Sequence, residues 1–375
     1  MEHFALVVPE FKRKMCSLDP IMAKENFISD FKENESLVSC FLVKAKTLSR
    51  TRTGNPFLKI RLADRTGETE GRIWERAQEL DPHFSVNDVV RVRATVERYQ
   101  DKLQLNIAAI DRLEPNEIDP RAFLPASPED PEELWQQLKK LASQVRNHHL
   151  QNLLQAFLSD RSFVREMKLA PAAKSIHHAY LGGLLEHTVS VARLLGRLCD
   201  HYPQLDRDLL ITAALLHDVG KLEELTYQQY FDYSDAGRLL GHIVLGTQRI
   251  KEKISKIKDF PQTLSLSLLH LIVSHHGELE FGSPKRPKTL EAFALHYADD
   301  LDGKINHLTR LLEAEKEDPS HWTTFQRIFD RYMFKGNARE DLSPQTPAVG
   351  PEDEGEPRNY SFLDQLAGST KKEPG

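Results

Sequence analysis

No apolar run in these 375 residues approaches the length of a membrane span, so neither a transmembrane helix nor a membrane partner is expected. Cysteine is scarce: Cys16, Cys40 and Cys199 are odd in number, far apart and without a CxxC pair. That pattern excludes a disulfide framework and reads as reduced thiols in a cytoplasmic protein. The N-terminal stretch MEHFALVVPEFKRKM has one short apolar patch followed by charge and no small-residue cleavage site, so no secretory signal is expected. An excess of basic charge is also missing. The 50 Lys and Arg against 56 Asp and Glu leave a net charge of −6, so nucleic-acid binding would have to come from a local patch. No internal repeat is visible. Histidine, by contrast, is plentiful at 16 residues, and its clustering is the informative feature.

The period of the apolar pattern changes once along the chain. From about 36 to 113, segments such as NPFLKIRLADRTG and NDVVRVRATVERYQDKLQLNIAAIDRL alternate apolar and polar residues between Gly, Asn and Asp punctuation. Five short strands in that span predict a small closed barrel. EPNEIDPRAFLPASPEDPEEL, rich in proline and acid, reads as a linker. From about 131 to 335 the period becomes helical, as in RDLLITAALLHDVGKL and LEAFALHYADDLDGKINHLTRLLE. Beyond Gly336, Pro, Glu and Gly dominate and predict a disordered tail, in which YSFLDQLA is either a docking motif or a leftover apolar stub. The expected division is an N-terminal extension 1–24, a barrel domain 25–115, linker and connecting helices 116–165, a helical domain 166–335 and a tail 336–375.

Within the helical half, ligand-type residues stand where the pattern calls for apolar ones: His187, His217-Asp218, His242, His275-His276 and Asp299. An ionised aspartate following the apolar run ITAALL is costly unless it meets a cation. Any one of these histidines alone reads as well as a packed or helix-end residue. Five positions on separate helical segments read better as one convergent metal site, of the kind built inside helical bundles. Imidazoles and carboxylates without a thiolate suit Mn, Fe, Co, Ni or Zn. One stretch, IHHAYLGGLLEHTVSVARLL (176–195), also sets Gly182-Gly183 into a helical pattern, which marks a helix start or a close backbone approach.

The motifs AALLHDVGKL, PAAKSIHHAYLGGLLEHT, GHIVLG and SHHGELEFGSPKRPKTLEAFALHYADDLD resemble the HD-domain superfamily of metal-dependent phosphohydrolases. With the barrel ahead of them, they resemble the YhaM family of 3′→5′ exoribonucleases over roughly residues 25 to 315. The resemblance implies an all-β OB-fold barrel, an all-α HD bundle and a divalent metal centre, two ions with Mn2+ foremost. It implies His187, His217, Asp218 and Asp299 as the ligands of one metal. His242 with His275, His276 or both would hold a second metal, Asp218 bridging the two. Asp299 is preferred to Asp300 because the family's aspartate follows an alanine, here Ala298. HHGELEFGSP lacks the GYP signature of the cyclic-dinucleotide enzymes, which argues against that substrate.

Such ligands imply hydrolysis of a phosphodiester by activated water, with Asp218 at the centre. Lys221 lies four residues after His217, on the same face if the helix continues. It would hold a phosphate oxygen or stabilise developing charge, or else be an exposed helix-end lysine. His177 and His178 are read as substrate-phosphate or second-layer contacts, or as packing residues. Lys285 and Arg286 sit in a proline-braced loop suited to a phosphate backbone, or to solvent. Glu186 and Glu278 are left open for proton transfer.

On the barrel, alternation places Phe57, Lys59, Arg61, Arg72, Trp74, Arg91 and Arg93 on the outer face. Residues 41–113 carry 14 Lys and Arg against 10 Asp and Glu, a basic patch in an acidic chain. Charge that follows phosphates and rings that stack on bases fit a single strand of RNA or DNA; packing of Phe57 and Trp74 against the helical domain is the plainer alternative. The resulting expectation is a metal-dependent exonuclease that releases nucleoside 5′-monophosphates. One alternative is a hydrolase of nucleotides or very short oligonucleotides, and another a non-catalytic nucleic-acid-binding protein with a structural metal. Homo-oligomers fit any of the three.

Overall fold

Alternation becomes geometry in strand β2 (Pro56–Asp64), where Leu58, Ile60 and Leu62 are buried while Lys59 and Arg61 are exposed. In this computed structural model β2 pairs antiparallel with β1 (Ser36–Arg50) and β3 (Gly67–Ile73). A short helix α1 (Ala77–Leu80) leads to β4 (Val89–Tyr99) and β5 (Lys102–Arg112). β3 runs parallel to β5 and β1 closes on β4, so the order β1-β2-β3-β5-β4 is a closed barrel. The inward residues, Phe41, Leu58, Ile60, Val92 and Leu105 among them, form one apolar core.

The structure describes residues 24, 26–114, 117–175 and 177–336. The expected N-terminal extension, apart from Lys24, and the expected tail with its YSFLDQLA stretch, apart from Gly336, lie outside the described residues. Among those described, no helix is long and apolar enough to cross a membrane. The chain divides into two compact units, Met1–Ala314 and Glu315–Gly375. In the second unit the described residues form an irregular hairpin with isolated bridges Trp322–Phe334 and Gln326–Arg331.

The segment between barrel and helices is seated on both. Ile118, Ala122 and Phe123 are buried with Leu42, Val89 and Leu113 of the barrel. A few residues on, Leu181 N donates to Pro125 O and Ser127 N to Leu181 O, a short parallel bridge onto the helical part. The segment expected as a linker holds one 3-10 turn (Pro120–Ala122) before α2, and its apolar residues are anchors.

The helices start at side-chain caps: Asp130 for α2 (Pro131–Ser143), Asn147 for α3 (His148–Leu158), Asp160 for α4 (Arg161–Leu169) and Asp206 for α6 (Arg207–Leu216). α5 (Gly183–His201) is the central helix, with eleven of its residues buried. It starts where Gly182 takes φ 79° and where a Cβ on Gly183 would lie 2.1 Å from His178 O. The glycine pair therefore serves a tight approach of the chain to itself, at the base of the helix that carries His187. Truncating one of the fully buried leucines behind it, Leu184 or Leu195, would cost about 2–5 kcal/mol. The bundle continues with α7 (Lys221–Glu224), a two-residue ribbon of β6 (Leu225–Thr226) and β7 (Asp232–Tyr233), α8 (Asp235–Ser255), α9 (Gln262–Ser274) and α10 (Leu290–Ala314).

Candidate metal centre and strand-binding face

Two of the clustered histidines owe their aim to helix ends. α6 stops at Leu216, and the next residue, His217, donates Nδ1–H to Ala214 O at 2.8 Å. α9 stops at Ser274, and His275 donates Nδ1–H to Ile272 O at 2.7 Å. Each ring satisfies a carbonyl that the last helical turn leaves without an amide partner. The other rings are pinned in the same way: His276 Nδ1 to Phe281 O at 2.9 Å, His242 Nδ1 to Glu224 Oε1 at 3.0 Å, and His187 Nδ1 to Asp302 Oδ2 at 2.7 Å. With Nδ1 carrying the hydrogen in all five, every Nε2 presents a lone pair.

Those five lone pairs converge on two groups that meet at Asp218. His187 Nε2 lies 3.2 Å from His217 Nε2, 3.1 Å from Asp299 Oδ1 and 3.6 Å from Asp218 Oδ2. His242 Nε2 lies 3.2 Å from His276 Nε2, and both His242 and His275 place Nε2 3.6 Å from Asp218 Oδ1. Ligands at metal bond lengths near 2.1 Å stand about 3.0–3.4 Å apart, so the donors are at coordination spacing. Asp218 Oδ2 has the Lys221 ammonium at 2.6 Å, but Asp218 Oδ1 and His275 Nε2 are buried without a hydrogen-bond partner. Native interiors rarely leave such atoms unsatisfied, and a cation supplies what the protein does not. The geometry brings together both His275 and His276, and it selects Asp299. Asp300 is exposed and ion-paired to Lys304 at 2.6 Å. A set of five imidazole nitrogens and two carboxylates fits a first-row divalent ion.

Electrostatics favour the ligating forms of the carboxylates, whereas His187, against its burial, is held up at about 9 by Asp299 and Asp302, so a cation there displaces a proton. Burial works against the charge of Asp218 and Asp299, yet Lys221 and His217 beside the first, and His187 and His217 beside the second, hold both well below the usual carboxylate range. Burial, with His275 and His242 adjoining, pushes His276 down to about 3. Lys221 opens α7, directly after the turn 217–220, since α6 does not continue through the His-Asp pair. Its buried Nζ lies 2.6 Å from Asp218 Oδ2, so it is neither an exposed helix-end residue nor free of the ligand set.

Close packing holds the second group of donors in place. A Cβ on Gly220 would stand 1.9 Å from His242 O and 2.6 Å from Gly246 N, so α8 lies directly on the turn after Asp218. α8 itself is kinked at Gly241, and Glu224 Oε1 there takes both the backbone N–H and the ring of His242.

Several supporting residues were not legible as such. Asp302 accepts from His187 and from Ser190, and lies 3.0 Å from His178 Nε2. His178 is buried, with its other nitrogen 2.9 Å from the Tyr180 hydroxyl. Both ring nitrogens are thus engaged within the protein, and the expected substrate contact for His178 gives way to support of Asp302. Tyr180 in turn donates to Glu186 Oε1, so Glu186 belongs to this network, with Ser127 on its other oxygen. The signal for Asp302 was its place three residues after Asp299, on the same face of α10. An Asp302→Asn variant is expected to bind metal about 10–100-fold more weakly by equilibrium dialysis, while Asp300→Asn is unchanged; equal affinities would deny Asp302 this role.

The remaining predicted residues fall in three places. His177 lies beside the centre, its ring centroid 6.1 Å from that of His187, and makes no hydrogen bond among the described residues. Lys285 and Arg286 lie in the exposed loop before α10, where Arg286 Nε pairs with Glu278 Oε2 at 2.7 Å; the structure records no contact from either to the ligands. On the barrel, Phe57 and Trp74 stack at 4.9 Å, and the Arg72 guanidinium lies over Trp74 and over Tyr99, at 5.6 and 4.7 Å. Trp74 and Tyr99 remain 42% and 48% exposed, so this row is open at the surface. Tyr99 was not foreseen. Lys59 and Arg61 make cross-strand ion pairs with Glu70 and Glu68, Arg91 is half-buried and Arg93 exposed.

Comparison with known proteins agrees with both halves. Residues 184–304 match the family model of the HD domain, and residues 41–113 that of an OB-fold nucleic acid binding domain. The chain is 33% identical over 298 residues to the 3′-5′ exoribonuclease YhaM of Bacillus subtilis (strain 168), covering 79% of this chain and 92% of that one. It is 33% identical over 309 residues to YhaM of Bacillus licheniformis, covering 82% and 96%. With a closed OB barrel ahead of a helical HD domain, and with relatives matched over nearly their whole length, this chain belongs to the YhaM family of 3′-5′ exoribonucleases.

Proposed function

We propose that this chain shortens single-stranded RNA from the 3′ end, with His187, His217, Asp218 and Asp299 holding one divalent ion and Asp218, His242, His275 and His276 a second. The observation that carries the reading is the position of Asp218, one oxygen turned to each group of imidazoles. When bound, divalent ions at this centre supply Lewis acidity for phosphodiester hydrolysis, and the donor set suits Mn2+ foremost, with Fe2+, Co2+, Ni2+ or Zn2+ also accommodated. Water adds to the terminal phosphorus, the bond from phosphorus to the penultimate 3′ oxygen breaks, and that oxygen leaves with a proton. The products are a nucleoside 5′-monophosphate and a strand one residue shorter.

The chain's own residues orient this step. Lys221 fixes the bridging carboxylate and sets a cation against the phosphate. His177 faces the centre with its ring uncommitted and is assigned to the terminal nucleotide. The Phe57–Trp74 stack with Arg72 and Tyr99 would take bases and backbone of the trailing strand. DNA offers the same rings and phosphates, and substrate competition would rank the two.

Purified protein given 5′-labelled RNA and Mn2+ should yield a ladder of shortened strands, and 3′-labelled RNA a labelled mononucleotide. Chelation should stop both. Binding without cleavage in every metal tried would overturn the reading, and hydrolysis of mononucleotides alone would favour a nucleotide phosphohydrolase. A Phe57→Ala/Trp74→Ala double variant should raise KM for a long strand by on the order of tenfold or more, and leave dinucleotide turnover unchanged. Equal losses on both substrates would remove the barrel face from strand binding.

A further inference from the structure

Four rings crowd the irregular hairpin of the second unit. Trp322 stands opposite Phe334 with ring centroids 5.1 Å apart, and Phe325 meets Tyr332 at 5.2 Å. Tyr332 and Phe334 are two residues apart on one strand, so they lie on one side of it. Thr323 pairs with Met333 and Gln326 with Arg331, which leaves one extra residue in the first strand and brings Phe325 round to the side of Trp322. All four rings therefore share a side, and Thr323 and Met333 take the other, the first buried and the second half-buried.

Ring pairs of this kind steady a ribbon, but steadying does not account for their exposure. Trp322, Phe325, Tyr332 and Phe334 stay 53, 45, 54 and 53% open to solvent. Nor do the rings anchor the ribbon. Thr324 donates through its N–H and its hydroxyl to the carboxylate of Glu315, and Lys335 Nζ donates to Glu315 O and Asp318 O. Polar edges hold the ribbon, and its ring side is left to solvent.

We propose, on the strength of the exoribonuclease reading, that this ring side is a second platform for single-stranded RNA, separate from the barrel. Charge selects a nucleic acid over an apolar partner. Residues 319–336 carry Arg327, Arg331 and Lys335 against Asp330 alone, in a chain whose net charge is −6. Arg327 and Arg331 stand exposed at the closed end of the ribbon, and neither makes an ion pair among the described residues; Arg331 gives only Nε–H, to Phe329 O. Rings that stack on bases beside cations that follow phosphates make a strand-binding surface. The barrel has the same composition, with Phe57 and Trp74 stacked beside Arg72. Spacing agrees. Residues two apart on a strand stand about 6.8 Å apart, twice the rise between stacked bases, which leaves room for one base between successive rings.

Metal-loaded full-length protein, irradiated on ice with a long RNA strand carrying 4-thiouridine, should give adducts between Trp322 and Phe334 as well as on the barrel. The hairpin adducts should persist in Phe57→Ala/Trp74→Ala. A Trp322→Leu/Tyr332→Leu variant keeps apolar bulk and removes two stacking planes. It should bind the long strand on the order of tenfold more weakly, with metal content unchanged. Because that variant also loosens the ribbon, the exposed arginines give a separate readout. Arg327→Gln/Arg331→Gln should lower the slope of log affinity against log salt by about 1.4, for two lost phosphate contacts, an effect that ribbon packing does not produce. Adducts on the barrel alone, or a salt slope at the parent value as expected of a protein-docking surface, would overturn the platform and leave the exoribonuclease reading standing. No affinity for RNA at all would overturn both.

Discussion

An Asp218→Ala variant is expected to lose at least about a thousandfold in strand shortening, and its metal content is expected to fall to none per chain. The loss follows from one side chain belonging to both donor groups. Without it, His187, His217 and Asp299 keep three donors, and His242, His275 and His276 keep three, but nothing joins them. Lys221, now buried without its carboxylate 2.6 Å away, would add a positive charge beside the six remaining donor atoms. His276→Ala should differ in kind. It removes one donor from the second group alone, so one ion per chain should survive. Elemental analysis of the two variants beside the RNA assay distinguishes these cases. If Asp218→Ala retained two ions per chain, the bridging role would be wrong.

The second large effect is expected from a methyl group. Gly220→Ala introduces a Cβ that would sit 1.9 Å from His242 O and 2.6 Å from Gly246 N, all backbone atoms that no rotamer change can move aside. α8 has to retreat, at a cost of about 1–3 kcal/mol. His242 retreats with it, away from Asp218 Oδ1 and from Glu224. The variant should melt several degrees below the parent, and should carry close to one ion per chain while His187, His217 and Asp299 keep theirs. Full metal content with an unchanged melt would mean that α8 is not held by this contact.

Much of this was legible before any coordinates. In NPFLKIRLADRTG the alternation could be read directly because a barrel strand has one wet face and one dry one. His217-Asp218 was legible because polar residues directly after a run of buried apolar ones contradict the helical pattern. Residues that position other residues leave no such contradiction. Asp302 and Glu224 occupy places where a charged side chain is ordinary, and only the folded chain shows that each grips an imidazole. His178 looked like its neighbour His177, and the difference lies in a turn with φ 47° at His178 that buries one ring and leaves the other beside the centre. Composition alone also could not say that Ile118, Ala122 and Phe123 pack, since proline and acid surround them on both sides.

That seated segment bears on how the protein can be taken apart. Cutting at residue 115 would leave Ile118, Ala122 and Phe123 attached to the helices, deprived of Leu42, Val89 and Leu113 and newly exposed to water. Cutting past residue 127 would instead take away the strand partner of Leu181 and the hydroxyl that Ser127 gives to Glu186, two contacts at the foot of the His187 helix. Neither place is a clean seam. Barrel and bundle are two folds by topology but one object by manufacture, and their division of labour is better tested by surface substitutions than by scissors.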